Sequence, residues 1–548
     1  MDIFQSASGG SRVCPAGVAG GNRCRPDAAS LAQPLNIQRV TPQVKRRAPG
    51  SLAAGHPQCG RRPDRPLQRY HAVVKLADEL REIVGADGVA ADPSELATFE
   101  SDAFVLVRSR PDLAVFPRST NEVAGVVRAV TRAGFAIVPR GAGTSLAGGT
   151  IAVNGGVCVG LSRMRRIFEV DPFDRFAHVE AGVVNLHISQ RARAHGLHYA
   201  PDPSSQMVCT IGGNVATNSG GPHTLKMGVT ANHVLGATMV LADGTVLRVG
   251  GPYDDAPGSD LLGLIVGSEG TLGIVTEVIV RLTPLPPAVR TQLAVFETID
   301  DAARTISRII AAGILPAALE MMDALTVAAV EDWLHLGFPR DAGAVLIIEL
   351  DGIEAGLDRQ VSRVVELCRA EGCREIRVAS TDEERADLWK ARKKSFGAMG
   401  RYGLSYFTQD GVVPRSKVPD IMRFVADVAA RYGVRIANVI HAGDGNIHPL
   451  LMYDECDPRQ VRAVIEAGYE ILARCVELGG SVTGEHGVGI EKVAPLEIMF
   501  DAPSRAAQQR IRGVFDPHLR MNPGKLFAAG GGCVELLRPP PSWPDMGV

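Results

Sequence analysis

The chain has 548 residues, of which 45% are hydrophobic and 22% are charged, and its formal net charge is -2. A chain of this length exceeds one ordinary hydrophobic core, so the sequence predicts two or three domains. The balanced charge and the aromatic content of 5% argue against nucleic-acid binding. The longest apolar runs are far shorter than the ~20 residues of a membrane-spanning helix.

Residues 1–66 differ in composition from the rest of the chain. They are rich in Arg, Pro and Gly, and their only acidic residues are Asp2, Asp27 and Asp64. An arginine-rich, acid-poor start is typical of a transit peptide. We predict a disordered or mis-called N-terminal extension and leave this segment out of the fold.

The 10 cysteines include no C-x-x-C pair and fit no iron–sulfur or zinc-ribbon spacing. Cysteine usage of this kind favours a reducing compartment, so we predict a cytoplasmic protein. Peripheral attachment to a membrane through a partner protein is compatible with the same composition.

The first elements after the extension are two predicted helices. Residues 71–85 have helical spacing, and Ser119 with Glu122 forms an S-x-x-E capping box that opens a helix ending at Gly134. A strand, AIVPR, then leads into a glycine-rich loop. From residue 141 to 283 short strands are interrupted by glycine, which indicates an α+β arrangement and not a regular βαβ alternation.

The pattern changes after PLPP at 284–287, which we interpret as a domain boundary. Helices then alternate with the strands AVLIIEL, EIRVA, RIANVIH and HPLLMY, which predicts a second α+β domain with an antiparallel sheet. The predicted helices are 300–313, 356–371, 381–400, 416–432, 457–478 and 503–515. NPGKLF (522–527) predicts a return to the first domain, giving the segments 70–284, 285–515 and 516–530.

The stretch PRGAGTSLAGG (139–149) follows a strand and invites comparison with a nicotinamide-binding loop. Gly141 and Gly143 supply G-x-G, but Leu146 occupies the third glycine position and no amphipathic helix follows. What remains is a loop of small residues whose N–H groups could wrap a diphosphate, with a plain tight turn as the equal alternative.

Three further glycine-rich stretches favour the ligand-binding interpretation: PDPSS (201–205), IGGNVATNSGG (211–221) and GSEGTLGIVTEV (267–278). Glycine loses more conformational entropy on folding than other residues, so its repeated use indicates backbone that must approach something closely. A large flat cofactor is the economical explanation.

The stretch HAGDGNIHP (441–449) predicts a two-residue hairpin centred on Asp444 and Gly445, because a type I′ turn needs positive φ at both central positions. This register places His441 directly opposite His448, with Cβ atoms ~5 Å apart on one face. Two imidazoles at that spacing can share one metal ion. A longer loop would still bring the two histidines together.

The stretch GEHG contains Glu485 and His486 and completes a candidate metal site. Two histidines and one carboxylate form a ligand set that leaves coordination positions open for a substrate. His486 would then remain available as a general base, the usual role of histidine near neutral pH. The alternative is that the two glycine-flanked turns hold structural or surface histidines.

Taken together and in this order, these stretches and the C-terminal NPGK resemble the FAD-linked oxidase family of the vanillyl-alcohol oxidase type. Members of this family include the FAD-binding subunit of glycolate oxidase and the D-lactate and D-2-hydroxyglutarate dehydrogenases. The resemblance covers roughly residues 70–527. It implies an α+β protein, with a two-part FAD-binding domain followed by an α+β substrate or cap domain.

The resemblance also implies noncovalent FAD and assigns residues to each role. His486 and Arg392 are the implied catalytic residues, and His441, His448 and Glu485 the implied ligands of a divalent metal, Zn or Mn. The implied cofactor contacts are Pro139, Arg140, Gly141, Ala142, Gly143, Thr144, Ser145, Gly148, Gly149, Pro201, Asp202, Ser204, Gly212, Gly213, Asn214, Gly270, Ile274, Asn522 and Lys525.

Arg392 lies in WKARKKSF, where a run of charges would by itself indicate a solvated helix face. The resemblance implies instead that its guanidinium pairs with a substrate carboxylate. Thr408 stands where the hydroxyglutarate enzymes carry a lysine, which favours glycolate or D-lactate and leaves D-2-hydroxyglutarate as the alternative substrate. His223, in GGPHTLKMG, is equally open to a place near the flavin and to a structural role.

The chain has neither an iron–sulfur cysteine set nor a nicotinamide fingerprint, so the electrons from a 2-hydroxy acid require an external acceptor. The resemblance implies a second FAD-domain subunit and an iron–sulfur subunit. Two rival functions use the same residues: a metal-dependent hydrolase without a redox cofactor, and a non-enzymatic flavin-binding assembly subunit. The first leaves the glycine-rich stretches unexplained, and the second has no need of an open metal site.

Overall fold

A computed structural model describes residues 66–253, 258–403 and 405–527. The predicted extension therefore lies outside the described residues, apart from residue 66. The described helices are α1 (Pro66–Val84), α2 (Pro93–Leu96), α3 (Thr120–Ala133), α4 (Asn185–Ala192), α5 (Ile211–Thr217), α6 (Thr224–Met227), α7 (Leu262–Ile265), α8 (Ile299–Ala311), α9 (Ala324–Leu334), α10 (Leu357–Ala370), α11 (Asp382–Met399), α12 (Val418–Tyr432), α13 (Pro458–Glu477), α14 (Leu496–Met499) and α15 (Ala502–Phe515).

The described strands are β1 (Val89–Ala90), β2 (Leu113–Val115), β3 (Ile137–Arg140), β4 (Val157–Gly160), β5 (Ile167–Asp171), β6 (Phe176–Glu180), β7 (Leu197–His198), β8 (Val234–Val240), β9 (Val246–Gly250), β10 (Ile274–Arg281), β11 (Thr283–Pro284), β12 (Ala288–Phe296), β13 (Ala318–Asp323), β14 (Ala344–Gly352), β15 (Glu375–Val378), β16 (Ser405–Thr408), β17 (Gly411–Val412), β18 (Ile436–His441) and β19 (Asn446–Tyr453).

The first half of the described chain is built on two sheets, one of them with parallel strands. The smaller sheet has the order β1-β2-β4-β3, in which β4 pairs in parallel with both β2 and β3. The larger sheet has the order β5-β6-β10-β8-β9 and is antiparallel. Helix α3 contributes Val126, Val127 and Val130 to the shared core. This half is α+β, as predicted.

The N-terminus of α3 shows how the capping box is realised. The Ser119 hydroxyl accepts from the backbone N–H of Glu122 at 3.2 Å, as predicted. The Glu122 carboxylate accepts from the backbone N–H of Arg118 at 2.7 Å, one residue before the position that the motif predicts. Gly134 ends the helix with a φ of 83°, a left-handed conformation that glycine adopts without strain.

The second half is built on one antiparallel sheet with the order β15-β12-β14-β13-β18-β19-β16, and β17 also pairs with β19. Helices α8, α10, α12 and α13 pack on one face, and α9 and α11 pack on the other. The predicted antiparallel sheet and the α+β class are confirmed. Within the described residues, no helix is both long enough and apolar enough to cross a membrane.

The predicted register of the β18–β19 hairpin is wrong. His441 pairs with Asn446, and His448 pairs with Val439, so the loop contains residues 442–445. Gly445 has a φ of 82°, whereas Asp444 does not have positive φ, so the type I′ turn does not form. Because Asn446 and His448 are two residues apart on one strand, His441 and His448 still share a face of the sheet.

The C-terminal segment of the described chain returns to the first half. Met521 pairs with Ile137 of β3 in an isolated parallel bridge, and the backbone N–H of Asn522 donates to the Ile137 carbonyl at 2.7 Å. The domain boundaries 70–284, 285–515 and 516–530 stay predictions, and residues 528–530 of the last segment lie outside the described residues.

Candidate active site

A cavity of about 740 Å³ lies between the two halves of the chain. One wall comes from loops of the first half, and the opposite wall comes from α11, the β18–β19 hairpin and the loop that follows α13. Five side chains of that opposite wall are the predicted catalytic and metal-binding residues His486, Arg392, His441, His448 and Glu485. The structure therefore brings together residues that lie far apart in the sequence.

Close packing against neighbouring residues explains why the first wall requires glycine at several positions. A Cβ added to Gly141 would lie 2.3 Å from Thr210 Oγ1, and one added to Gly212 would lie 2.7 Å from the Cβ of Ala181. Gly270 has a φ of 71°, a conformation that disfavours any side chain. Small residues keep this wall thin and smooth, which suits a flat cofactor that must approach the backbone.

Most of the residues predicted to contact a cofactor line this cavity. Those that line it are Pro139, Arg140, Gly141, Ala142, Gly143, Thr144, Ser145, Gly149, Ser204, Gly212, Gly213, Asn214, Gly270, Ile274 and Asn522. Sequence reasoning missed further lining residues, among which Thr210, Tyr406 and Phe396 have polar or aromatic side chains.

The remaining predicted contacts lie off the cavity wall. Asp202 is held away because its carboxylate bonds to His223 Nδ1 at 2.8 Å. Lys525 is fully buried, and its Nζ donates to the carbonyl oxygen of Ile151. Burial lowers the pKa of the Lys525 ammonium to about 7.

Gly148 and Pro201 are the other two predicted cofactor contacts that do not line the cavity, and both contact protein residues behind its wall. A Cβ on Gly148 would lie 2.5 Å from the side chain of Ile490. The carbonyl of Pro201 accepts a hydrogen bond from Asn185 Nδ2 at 3.1 Å. Both residues therefore support the wall from behind.

His441, at the end of β18, is oriented by two carboxylates. Its Nδ1 lies 2.7 Å from Glu320 Oε1, and its Nε2 lies 3.3 Å from Glu485 Oε1. Burial alone lowers the pKa of His441, but the charges of Glu320 and Glu485 outweigh burial and raise that pKa to about 10. His441 Nδ1 is therefore held by Glu320, and a cation bound at Nε2 would displace the second proton of the imidazolium.

His448 has the opposite electrostatic character. Burial, together with the neighbouring imidazoles of His486 and His441, lowers the pKa of His448 to about 4. The rings of His448 and His486 stack with centroids 4.9 Å apart, and those of His448 and His441 meet edge to face at 5.0 Å. A neutral imidazole is the form that binds metal ions.

The loop that carries Glu485 and His486 is fixed by Asp410, which sequence reasoning missed. The Asp410 carboxylate accepts from the Thr483 hydroxyl at 2.6 Å and from the backbone N–H groups of Gly484 at 3.1 Å and His486 at 3.0 Å. It also lies 4.0 Å from His486 Nδ1. The only sequence signal is a lone acidic residue in YFTQDG, before a glycine.

The three predicted metal ligands fit a divalent cation. His441, His448 and Glu485 can each offer one atom, and these atoms lie within 4.8 Å of one another. Glu485 Oε2 and His448 Nδ1 are buried and lack a hydrogen-bond partner among the described residues, and His448 Nε2 lies 3.3 Å from Glu485 Oε1. Buried polar atoms are normally satisfied, so these atoms indicate a missing ligand, and two nitrogens with one carboxylate oxygen suit Zn²⁺ or Mn²⁺.

Arg392 is not on a solvated helix face, since only 1% of its surface is exposed. Its Nε donates to Glu320 Oε2 at 2.5 Å, and its Nη2 lies 3.3 Å from His441 Nδ1. Glu320 therefore connects Arg392 with His441, although sequence reasoning missed it. Its only signal is an acidic residue in the middle of the largely apolar strand ALEMMD.

Thr408 is buried in β16 and does not line the cavity. Tyr406, two residues earlier on the same strand, does. Phe396 of α11 lies against His448, with ring centroids 6.1 Å apart. Aromatic side chains therefore bound the part of the cavity beside the histidine cluster.

Comparison with known protein families places both halves of this architecture in one class. Residues 111–250 match the model described as "FAD binding domain", and residues 285–526 match "FAD linked oxidases, C-terminal domain". The chain belongs to the FAD-linked oxidase family and contains an FAD-binding domain.

Within that family the chain is similar to "Glycolate oxidase subunit GlcD" of Escherichia coli (strain K12). The two are 41% identical over 457 residues, which covers 83% of this chain and 92% of that relative. The protein of the same name from Bacillus subtilis (strain 168) is 39% identical, with 83% and 97% covered. A "D-lactate dehydrogenase" of Archaeoglobus fulgidus is 30% identical, with 82% and 98% covered.

Solved structures share the fold at low sequence identity. A "4-ethylphenol oxidase from Gulosibacter chungangensis" has a TM-score of 0.67 and 20% identity, with 83% of this chain and 97% of that chain covered. A p-cresol methylhydroxylase structure has a TM-score of 0.67 and 18% identity, with 83% and 96% covered. These likenesses concern the fold alone.

Proposed function

We propose that the chain oxidises a short 2-hydroxy acid, glycolate or D-lactate, to the corresponding 2-oxo acid. The relatives named as glycolate oxidase subunits and D-lactate dehydrogenases support this choice. The single observation that carries the proposal is one cavity lined on one side by a glycine-rich wall and on the other by Arg392 and the His441, His448, Glu485 cluster. Noncovalent FAD supplies the hydride acceptor in this reaction.

In this proposal the glycine-rich wall holds the FAD, with the loop 139–149 around the diphosphate. His441, His448 and Glu485 hold the divalent cation, Zn or Mn, whose chemistry is that of a Lewis acid at the substrate hydroxyl. The pairing of His441 with Glu320 fixes which ring nitrogen faces the cation, as outer carboxylates do for metal-bound histidines.

Arg392 binds the substrate carboxylate, because a planar guanidinium matches a carboxylate in two parallel hydrogen bonds. Glu320 holds the Arg392 Nε at 2.5 Å and so limits how the guanidinium can turn. His486 receives the proton of the substrate hydroxyl at Nε2, because Nδ1 is buried and faces Asp410 at 4.0 Å. Asp410 then stabilises the resulting imidazolium.

Three features favour a short substrate over D-2-hydroxyglutarate. Thr408 has no charge to pair with a second carboxylate, and it does not line the cavity. Phe396 and Tyr406 present aromatic surface on that side of the cavity instead. A longer diacid would therefore find no cation at position 408 for its distal carboxylate, and a buried carboxylate without a partner costs binding free energy.

The electrons leave through an external acceptor in this proposal. The relatives called glycolate oxidase subunits carry the word "subunit" in their names. The proposed partners are a second FAD-domain subunit and an iron–sulfur subunit. The proposed location is cytoplasmic, peripheral to the inner membrane through those partners.

An anaerobic visible spectrum, before and after addition of glycolate, D-lactate or D-2-hydroxyglutarate, tests the proposal. We expect flavin bands that bleach with glycolate or D-lactate and respond much more slowly to the diacid. Faster bleaching with the diacid would favour the hydroxyglutarate alternative. A yellow protein that no hydroxy acid bleaches would favour an assembly role, and a colourless protein that takes up no FAD would favour a hydrolase.

A further inference from the structure

His223 forms the centre of a second, partly buried ion cluster, outside the cavity lining. Its Nδ1 lies 2.8 Å from Asp202 Oδ2, and its Nε2 lies 3.3 Å from Glu349 Oε1. The imidazole is stacked on Trp389, with ring centroids 5.5 Å apart and an interplanar angle of 26°. Burial alone lowers the pKa of His223, but the two carboxylates outweigh burial and raise it to about 10. His223 is therefore an imidazolium that bridges two carboxylates.

Glu349, on β14, joins this bridge to α11. Its carboxylate accepts from Arg385 Nε at 2.9 Å, from Arg385 Nη2 at 3.1 Å and from Trp389 Nε1 at 2.6 Å. Thr291 of β12 donates to Oε2 at 2.7 Å. One buried carboxylate thus connects two strands of the second sheet, helix α11 and the residue that precedes α6.

Helix α11 is attached to the sheet at two points along one face. Arg385, Trp389 and Arg392 follow each other at intervals of four and three residues, so they share one helix face. Arg385 and Trp389 bond to Glu349, whereas Arg392 bonds to Glu320. The Glu349 attachment therefore holds the N-terminal half of the helix that carries Arg392.

The two acidic attachment points lie on the same face of the sheet. Glu349 pairs with Ala318, and Ala318 lies two residues before Glu320 on β13. Residues two apart on a strand, and residues directly opposite each other, project from one face. The two carboxylates are therefore diagonal neighbours beneath α11.

The segment that carries His223 also packs against Glu485 and against the loop of the β18–β19 hairpin. Ser219, at its start, lines the cavity. A Cβ added to Gly220 would lie 3.7 Å from the Cβ of Glu485, and one added to Gly443 would lie 2.8 Å from the side chain of Leu225. His223 therefore links the cofactor wall of the first half to the substrate wall of the second.

We propose that His223 is a positioning residue, which clamps its segment to Glu349 and thereby sets the place of α11 and of Arg392 in the cavity. This inference rests on the proposed function in one respect, the pairing of Arg392 with the substrate carboxylate. The placement of α11 itself does not depend on which reaction the chain catalyses.

The variant His223→Gln tests the clamp, because glutamine retains hydrogen bonding and loses the positive charge. His178→Gln is the matched control, since His178 also pairs with a carboxylate, Glu277 at 3.1 Å, and is 31% exposed beside 26% for His223. We expect His223→Gln to accelerate amide hydrogen exchange in residues 382–399 of the full FAD-loaded chain, and His178→Gln to leave that segment unchanged.

The kinetic readout separates positioning from loss of structure. With glycolate or D-lactate as the probe, His223→Gln should raise KM on the order of tenfold and leave kcat nearly unchanged, as expected for weakened binding of substrate and transition state alike. FAD content should not change. In the Arg392→Met background the same substitution should have no further effect on KM, because the residue through which His223 acts is already gone.

The outcomes are distinct for the two proposals. Unchanged exchange in residues 382–399 overturns the clamp, whatever reaction the chain catalyses. A tenfold rise in KM that persists in the Arg392→Met background also overturns it, because His223 would then act by another route. A wild-type flavin that no 2-hydroxy acid reduces overturns the proposed function instead, and the exchange data then decide the clamp alone.

Discussion

The described residues include two ion clusters, one buried and one partly buried, which are built from the same kinds of side chain but differ in how many polar atoms have partners. The closed cluster consists of Asp202, His223, Glu349 and Arg385, and both ring nitrogens of its histidine face carboxylate oxygens. The open cluster consists of His441, His448, Glu485 and His486. Within the described part of the chain, hydrogen-bond partners are missing at Glu485 Oε2, His448 Nδ1 and His486 Nδ1, while His448 Nε2 lies 3.3 Å from Glu485 Oε1.

This difference in hydrogen-bond partners distinguishes charges that stabilise the fold from side chains that are available to a ligand. A buried polar atom without a partner costs about 1–3 kcal/mol, so a protein does not retain several of them for folding alone. The closed cluster uses its charges to join two halves of the molecule. Among the described residues, the open cluster contains buried polar atoms without partners, which a ligand could satisfy. Its side chains line the cavity.

The largest expected effect comes from His486→Ala in the open cluster. Loss of a general base typically slows a reaction about 10²–10⁴-fold, so anaerobic flavin reduction should slow by that factor. FAD should remain bound, because the glycine wall is untouched. Stopped-flow absorbance measures the rate, with His178→Gln as the control. An unchanged rate, or a colourless variant, would contradict the assignment.

The second prediction concerns metal removal. Treatment with a chelator should abolish reduction of the flavin by the hydroxy acid, and Zn²⁺ or Mn²⁺ should restore it. The variant Glu485→Gln should weaken metal binding by more than the about 10–100-fold that loss of an outer-shell partner causes. The metal content is measured by elemental analysis and compared with the rate of flavin reduction in the same sample. Full activity in a metal-free sample would show that the open cluster holds no functional cation.

The third prediction compares two carboxylates by their stability effects. Glu349→Gln should lower the free energy of unfolding by about 2–4 kcal/mol, below the full cost of breaking a buried pair because Arg385 is 38% exposed and partly screened. In metal-free protein Glu485→Gln should lower it by less, because Glu485 Oε2 has no donor among the described residues and His441 keeps Glu320 as its partner. Urea unfolding midpoints measure both, and the reverse order would invalidate the comparison.

The smallest expected effect is a pH dependence of the closed cluster. The pKa of His223 is raised from 6.5 to about 10, so the folded protein binds this proton more tightly than the unfolded chain. The resulting stabilisation is fully present below pH 6.5 and is lost as pH rises through about 10. The difference in Tm between the wild type and His223→Gln should therefore shrink from pH 7 toward 10. A constant difference over this range would contradict a pKa near 10 for His223 in the folded state.

Much of the fold could be predicted from the sequence because its long helices are amphipathic and capped. The sequence predicts helix α8 at 300–313, and the helix spans Ile299–Ala311 with the Thr298 hydroxyl accepting from the Asp301 N–H. Helix α9 could not be predicted in this way. Its sequence, ALTVAAVEDWL, is apolar around most of its circumference, and Val327, Ala329 and Val330 are all buried.

The candidate site was predictable in its residues but not in their arrangement. The glycine-flanked histidines identify the open cluster, yet the local rule for Asp-Gly gives the wrong hairpin register because β18 and β19 accept a longer loop. Glu320 and Asp410 were missed for a different reason. Each contacts the site across a long sequence separation, 121 residues from Glu320 to His441 and 76 from Asp410 to His486, and no local pattern encodes such contacts.

The Asn522 side chain connects two loops of the cofactor cavity from a position far along the chain. Its Nδ2 donates to the carbonyl of Gly149, 373 residues earlier, at 2.9 Å, and to the carbonyl of Glu269 at 2.7 Å. Because translation delivers the N-terminal half first, the flavin wall lacks this tie until residue 522 has left the ribosome. A nascent chain should therefore capture FAD weakly until residue 522 has emerged, and tight loading should follow only after that point.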